Sequence, residues 1–414
     1  MTARSVVTKL LKFKGFRTAG FWWENRGRDF VVAVKPYKNG CCCPECGGRG
    51  KIVHTAEEPR RWRDVRVCGQ TVWLSHCPRE IWCPTHGRRQ EVIPWADPMA
   101  RVTYRYEFLM LRKCQDTTQK VVAEELGVSP STLSDQLHSA IDRKRAGHKI
   151  RGLRIIGIDE ISYEKGHKYA TIVYDLERSC VVWVGKGKAR ETIDEFFEQL
   201  SDYQKSKIKW ACCDISEAYI GAIKHHCKNA KLVLDRFHIV KKLNEAVDEV
   251  RKEQWREVKD KNERRSLKGL RWLLFKHSST RSRKDAKTLR ALERSNRRIY
   301  RAWRLKDEFE SFWEYKAPWA ARRFLQNWAA TAMRSRLEPI KSFVRTLRKN
   351  AEAILAFVDT RLTNAVAEGL NRIIRMIKNR ASGFRNFDAF SDLIYLCLGD
   401  LDIPAQIPAR FRTM

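Results

Sequence analysis

Three observations set the expected fold. Residues 153–250 read strand, hairpin, helix, strand, helix, strand, helix; residues 251–350 are basic and helix-periodic; and residues 41–86 hold paired Cys and His knuckles. Together they predict an α/β protein: a ribonuclease-H-like catalytic core interrupted by an all-helical insertion, preceded by a zinc-ribbon-like segment and a helix-turn-helix. The expected divisions are 1–100 (Cys-rich, zinc- and DNA-binding), 101–150 (helix-turn-helix), 151–250 (first part of the core), 251–350 (insertion) and 351–414 (final helices of the core).

The 414 residues carry 82 Lys+Arg against 49 Asp+Glu, a net charge of +33, with 43% hydrophobic residues. That content supports packed cores, and the charge excess favours a polyanionic partner, nucleic acid first. A merely soluble basic protein is the plain alternative. The basic start "MTARSVVTKLLKFKGF" does not resemble a signal peptide, and no run of 18 apolar residues is present, so a cytoplasmic, nucleoid-associated protein with no membrane span is expected. With thirteen Cys and no export signal, metal ligation is a better use for clustered cysteines than disulfides.

Cys43 and Cys46 form a CxxC knuckle, and Cys83 and His86 a CxxH knuckle. Between them are β-like pieces around Val65–Val67 and Thr71–Leu74. Two knuckles joined by short strands can place four Zn²⁺ ligands tetrahedrally and stabilise a segment with little core. Cys41, Cys42, Cys68, Cys77 and His76 are further candidates, and free thiols are the alternative.

In residues 117–144, Val121, Val122, Leu126 and Val128 give an apolar face, and Gly127 sits where a first helix would turn. Ser129 and Pro130 then suit the N-cap and first position of a second helix, along which Leu133, Leu137 and Ile141 recur. This reads as a helix-turn-helix, with Ser131, Thr132, Ser134 and Gln136 as candidate base or phosphate contacts. An ordinary helical hairpin shares the pattern.

In the core, "LRIIGID" and "KIKWACCDIS" are strands that each end in an acid, Asp159 and Asp214. In a ribonuclease-H-like order these first and fourth strands are neighbours, so the two acids could share divalent ions. Hard oxygen ligands suit Mg²⁺ or Mn²⁺. Glu160 points to the opposite face of a pleated strand, which favours Asp159 as ligand. The best third acid is Glu368, the only carboxylate between Thr360 and Ala381. There Ile373, Ile374 and Ile377 mark one helix face, and Asn364, Glu368, Asn371 or Arg372, and Arg375 a polar stripe. A solvated Glu paired with Arg372 is the alternative.

With these segments in view, the chain resembles the ISL-three insertion-sequence family of DDE transposases. The resemblance is carried by the Cys-rich start, the helix-turn-helix, "GIDEISYEKGHKYATIVYD", "DRFHIVKKLNEAVDEVR" and "TNAVAEGLNRIIRMIKNRASGFRNF". It implies Asp159, Asp214 and Glu368 as catalytic triad, with 54 residues between the Asp residues and 153 before the Glu, a gap that implies an insertion domain. Asp235 and His238 match a C/D-x-x-H motif and take site-adjacent roles, as does Asn371. The resemblance further implies partners: double-stranded transposon-end and target DNA, and a second copy of the chain in a homodimer or larger assembly.

Residues 251–350 hold 30 Lys+Arg against 11 Asp+Glu, over half the total excess. Trp255, Trp272, Trp303, Trp313, Trp319 and Trp328 punctuate them, most expected in packing and one or two free to stack on a distorted base. "GKGK" at 185–188 lacks Walker spacing and reads as a strand-to-helix turn. The expected activity is end binding, cutting and joining of 3′-hydroxyls by two-metal phosphodiester chemistry. A nuclease of the same fold, a non-catalytic DNA-binding protein and an RNA-processing hydrolase are the rivals.

Overall fold

The computed structural model describes residues 2–403 apart from Lys12, Lys14, 38–40, 148–149, Lys165, His167 and Thr363. Lys165, His167 and Thr363 of the family-like stretches therefore lie outside the described residues. The chain divides into two compact units, residues 1–149 with 376–414, and residues 150–375.

The first unit opens with helix α1 (Ala3–Leu11) and strands β1 (Phe16–Glu24) and β2 (Asp29–Pro36). The basic start is thus helical, and the two strands after it have no counterpart among the elements expected from sequence. Strands β3 (Cys41–Cys42), β4 (Arg49–Thr55), β5 (Arg60–Val67), β6 (Gln70–His76), β7 (Arg79–Cys83) and β8 (Gly87–Gln90) follow. They form two four-stranded sheets, ordered β1-β2-β6-β5 and β3-β4-β7-β8. The expected β-like pieces are β5 and β6, joined through Cys68 and Gly69, both at positive φ as a tight hairpin turn requires. Phe16, Val32, Trp62, Leu74 and Trp95 make the core of the first sheet. The second sheet has only Cys41, Cys43, Ile81 and Cys83, with Ile52 against them, too small a core to hold itself.

Helices α2 (Tyr104–Asp116), α3 (Gln119–Leu126) and α4 (Pro130–Gly147) complete the N-terminal part. Gly127 ends α3 in the left-handed conformation (φ +64°). The Ser129 hydroxyl accepts from the Thr132 N–H at 3.1 Å, so the expected turn and cap are present. The apolar face differs in one place: Val121 is exposed, and Ala123 packs inside with Val122 and Leu126. At about 100° per residue Val122, Ala123 and Leu126 fall on one side of the helix, and Val121 points almost directly away from it.

The second unit is built on one sheet. Its strands are β9 (Ile155–Glu164), β10 (Lys168–Asp175), β11 (Cys180–Lys186), β12 (Trp210–Cys213) and β13 (Lys231–Leu234), in the order β11-β10-β9-β12-β13. β9, β10 and β11 are antiparallel neighbours, whereas β9, β12 and β13 run parallel. Helices α5 (Arg190–Glu198), α6 (Asp202–Lys207) and α7 (Glu217–His226) connect the strands, and α8 (Arg236–Glu257) leaves β13. Ile193, Phe196, Phe197 and Leu200 are buried as their spacing predicts. Ser216 occupies the N-cap of α7 but makes no side-chain cap bond, contrary to expectation. Residues 185–188 form the strand-to-helix turn, with Gly187 at φ +114°.

The insertion is helical: α9 (Lys261–Gly269), α10 (Arg271–Phe275), α11 (Arg283–Ser295), α12 (Arg297–Glu310), α13 (Pro318–Met333), α14 (Glu338–Lys349) and α15 (Ala351–Thr360). Pro318 opens α13, where its missing N–H is harmless. Trp303, Trp313 and Trp328 are buried, whereas Trp272 and Trp319 are exposed. Helix α16 (Ala365–Ala381) belongs to this unit as far as Arg375, and α17 (Phe387–Leu398) belongs to the first. On α16 Ala367, Leu370, Ile374 and Ile377 face inward; Ile373 is exposed, a correction to the expected face.

Phe309 anchors the insertion core, with the rings of Trp328 at 4.7 Å, Phe312 at 5.5 Å and Phe343 at 6.0 Å. Phe309→Ala is expected to destabilise the second unit by about 3–5 kcal/mol. Trp319→Ala, at an exposed position, should change stability by no more than about 0.5 kcal/mol. Urea denaturation of the two variants checks the contrast.

Candidate active site

The parallel pairing of β9 with β12 aligns Ile155 with Trp210 and Ile158 with Cys213. Asp159 and Asp214 are the next residue on each chain. Neighbouring strands lie about 4.8 Å apart, so the register sets the two carboxylates side by side. β9 does not end at its acid, as expected from sequence, but continues to Glu164 as the partner of β10. The site therefore forms where parallel pairing stops and the antiparallel hairpin goes on. Asp235 follows β13 in the same way, so three parallel strands each deliver an Asp at one edge of the sheet.

Asp159 is held from both sides. Its Oδ1 accepts the Glu160 N–H at 2.7 Å, and its Oδ2 accepts the Asn371 amide at 2.7 Å. Asn371 is buried, and its own Oδ1 accepts the hydroxyl of buried Tyr174 on β10. Gly157 lies on the same face of β9; a Cβ there would come within 2.8 Å of Leu176 Cδ2 and 3.1 Å of Asn364 Oδ1. A glycine is thus what lets the start of α16 approach the strand. The Asn364 carbonyl accepts the Glu368 N–H at 2.7 Å, which begins the helix carrying Asn371.

His238 lies between two acids, with Nδ1 3.9 Å from Asp214 Oδ2 and Nε2 3.8 Å from Asp235 Oδ2. Asp235 caps α8 through the Phe237 N–H at 3.2 Å. Asp214 Oδ1, Asp235 Oδ2 and Asn364 Oδ1 are buried and have no hydrogen-bond partner among the described residues. Unpaired acceptors on this edge leave it short of positive charge. Burial raises the Asp159 carboxyl above its ordinary range, and the Asp214 charge adds to it. Burial also raises Asp214, with Glu160 adding, and Asp235, with Glu368 and Asp159 adding. Glu160 does share the face of Thr171 and Tyr219 rather than that of Asn371, yet its charge reaches Asp214.

Glu368 is exposed on α16, near enough for its charge to act on Asp235. Asp159, Asp214 and Glu368 do not bring three ligand atoms within 4.8 Å of one another. Asp159, Asp214 and Asp235 do not bring three ligand atoms that close either, but the raised carboxyls and unpaired oxygens of this edge fit the charge of a hard divalent cation. Tyr174 has no place in the expected site, and Asn364 stands there only as part of the polar stripe around Glu368. Their signal is a contact that spans 197 residues in one case and a glycine's missing Cβ in the other.

In the first unit the ligand atoms of Cys43, Cys46, Cys83 and His86 all lie within 4.8 Å of one another. Cys43 Sγ and His86 Nδ1 are 3.7 Å apart, Cys46 and Cys83 Sγ 3.6 Å, and Cys83 Sγ and His86 Nδ1 3.8 Å. Zn–S bonds of about 2.3 Å in a tetrahedron give ligand separations of roughly 3.7 Å, so this set fits zinc. Backbone N–H groups of Cys46 and His86 pull the thiols of Cys43 and Cys83 below their ordinary range. The spare candidates are used otherwise. His76 donates from Nδ1 to the Val34 carbonyl at 3.1 Å and pairs through Nε2 with Glu91 Oε1 at 2.7 Å, and Glu91 also accepts from Arg79. Burial would raise Glu91, but the His76 and Arg79 hydrogen bonds outweigh it and set its pKa to about 2. Cys41 sits beside Glu91, Cys68 is in the hairpin turn, and Cys42 is exposed. Ser131 and Thr132 are exposed on α4, Ser134 is half-buried, and Gln136 accepts the Tyr106 hydroxyl at 3.0 Å.

An α/β unit with acids at one sheet edge, joined in one chain to a helix-turn-helix, defines a DNA-processing enzyme, and comparison with known proteins specifies which. Residues 156–394 match a family model described as "Transposase", and residues 91–141 one described as "Helix-turn-helix domain of transposase family ISL3". The chain is 31% identical over 399 residues to the transposase for insertion sequence element IS1001 of Bordetella parapertussis, covering 94% of this chain and 97% of that one. It is 25% identical over 379 residues to the transposase for insertion sequence element IS1557 of Mycobacterium tuberculosis, 86% of this chain and 85% of that one. The chain belongs to the ISL3 family of DDE transposases.

The raised carboxyl of Asp214 makes a prediction with a definite sign. The folded state holds its proton to higher pH than the unfolded chain, so metal-free stability falls as pH rises through the carboxylate range. Asp214→Asn removes that ionisation. Urea denaturation across pH, in chelator, should show a flatter profile and higher neutral-pH stability for the variant than for the parent.

Proposed function

We propose that this transposase binds the ends of its element, cuts the DNA there and joins the released 3′-hydroxyls to target DNA. The observation that carries the reading is the placement of Asp159 and Asp214 on adjacent parallel strands, with unpaired carboxylate oxygens around them. The strand order β11-β10-β9-β12-β13 supports a ribonuclease-H-like core, with α9 to α15 as its insertion and α16 supplying the third acid. The division at 1–100, 101–150, 151–250, 251–350 and 351–414 follows from this reading.

Asp159, Asp214 and Glu368 would hold Mg²⁺ or Mn²⁺, and Asp235 stands beside them. When bound, two such ions supply polarisation of the scissile phosphate and ease loss of the proton from the attacking hydroxyl. Asn371 and the Glu160 N–H fix the orientation of Asp159, and Tyr174 fixes Asn371. His238, 3.9 Å from Asp214 and 3.8 Å from Asp235, would offset the repulsion between them when its ring carries a proton. No side-chain nucleophile is required, because water and then a DNA hydroxyl attack phosphorus directly.

Cys43, Cys46, Cys83 and His86 would hold Zn²⁺ as a structural ribbon, and Ser131, Thr132, Ser134 and Gln136 of α4 would contact end DNA. Two copies of the chain, or more, would assemble on paired ends.

Two experiments test this reading. On a cognate end with Mg²⁺, Glu368→Gln and Asp159→Asn should each reduce cleavage and joining at least about 100-fold while leaving end binding intact. Full activity of Glu368→Gln would remove the third acid from the proposal. A strong chelator should release one zinc per chain and lower the thermal midpoint of the first unit, whereas Cys83→Ser should be purified without zinc.

A further inference from the structure

A groove in the first unit joins β5 and the loop after β8 to α4, and none of its arginines is accounted for above. Its walls include Arg60, Arg101, Trp73 and Met99 on one side and Thr132 and Gln136 on the other. Two neighbouring arginines are already spent. Arg61 pairs with Glu24 at 2.8 Å, and Arg63 donates to the carbonyls of Leu126 and Gly127 at 3.0 and 2.8 Å. Arg60 and Arg101 are different. Arg60 is held over the Trp62 ring, 5.0 Å from its centroid, by a 2.6 Å bond to the Ala100 carbonyl. Arg101 is exposed and follows directly. No carboxylate among the described residues pairs with either. Burial lowers the pKa of Arg60 and the Arg101 charge lowers it further, so two guanidinium groups are kept together against their repulsion.

The opposite wall adds neutral donors. The Thr132 hydroxyl lies 2.8 Å from that of Ser129, and Gln136 uses its Oε1 on Tyr106. The Gln136 NH₂ group makes no hydrogen bond among the described residues. A pair of guanidiniums without a carboxylate partner among the described residues, facing a hydroxyl and an amide NH₂, is complementary to a tetrahedral oxyanion. We propose that this groove seats a backbone phosphate of duplex DNA beside the start of α4, gripped by Arg60 and Arg101 with Thr132 and Gln136 opposite. The inference rests on α4 being the DNA-reading helix. It makes Gln136 a positioning contact to backbone rather than a base reader, and leaves base contact to Ser131 and Ser134.

The test uses the full chain and fluorescence anisotropy on two duplexes, one carrying the terminal sequence of its own element and one a shuffled copy, across a KCl series. Arg101→Gln is expected to weaken both complexes about tenfold and lower the log–log salt slope by about 0.9, with the preference for the terminal duplex unchanged. Arg101→Lys should keep the slope. Unchanged affinity and slope in Arg101→Gln, alongside lost discrimination in Ser131→Ala or Ser134→Ala, would overturn the groove and leave the helix-turn-helix reading standing. The reverse pattern, weakened Arg101→Gln with discrimination untouched by both Ser variants, would support the groove and move base contact from Ser131 and Ser134 to other residues of α4. Arg101 is exposed, so its loss does not endanger folding.

Discussion

The repulsion between Asp159 and Asp214 is the constraint around which the second unit is organised. Parallel pairing of β9 and β12 leaves no freedom over where these acids emerge, because the register of Ile158 against Cys213 fixes them. Burial then makes their charge costly, and the fold answers with only partial compensation. Asn371 and a backbone N–H satisfy Asp159, His238 stands between Asp214 and Asp235, and several oxygens are left unpaired among the described residues. A sheet edge that concentrates negative charge in this way is poor for stability and well suited to chemistry on a phosphodiester, where cations must gather.

The helix that bears the remote acid, α16, is placed by steric detail rather than by charge. Gly157 has no Cβ, so Asn364 and Leu176 close over β9 and the helix starts where Asn371 can reach Asp159. Tyr174 then locks the amide. The hydrogen-bonded chain runs from β10 through α16 to β9, and each member depends on the one before for its orientation. The Cys-rich sheet is organised on a comparable principle: with four buried residues for a core, it relies on its ligand cluster more than on packing.

Much of this was legible in the residues. Strand runs such as "LRIIGID" and "WACC", the helical spacing of Ile193, Phe196, Phe197 and Leu200, and the Gly127–Ser129–Pro130 punctuation each encode a local preference that packing did not override. The knuckles at Cys43, Cys46, Cys83 and His86 were legible because CxxC and CxxH spacings are themselves local geometry. What was hidden had no local signal. The β1–β2 hairpin is stabilised by pairing with β6, far along the chain. Tyr174 looks like any strand aromatic until α16 returns to it. Val121 and Ile373 were misplaced because apolar character alone does not say which side of a helix is covered. The exposed Trp272 and Trp319 stand among buried tryptophans for the same reason.

Arg63 and Arg66 donate from β5 to carbonyls at the end of α3, Arg63 at Leu126 and Gly127 and Arg66 at Glu125. The turn between α3 and α4 is therefore fastened to a β-hairpin rather than shaped by its own residues alone. A helix-turn-helix of this kind is not a portable module. Exchanging it between related elements to redirect end choice would leave the incoming turn without its guanidinium anchors, so hybrid proteins should inherit their parent's specificity only when the hairpin travels with the helices.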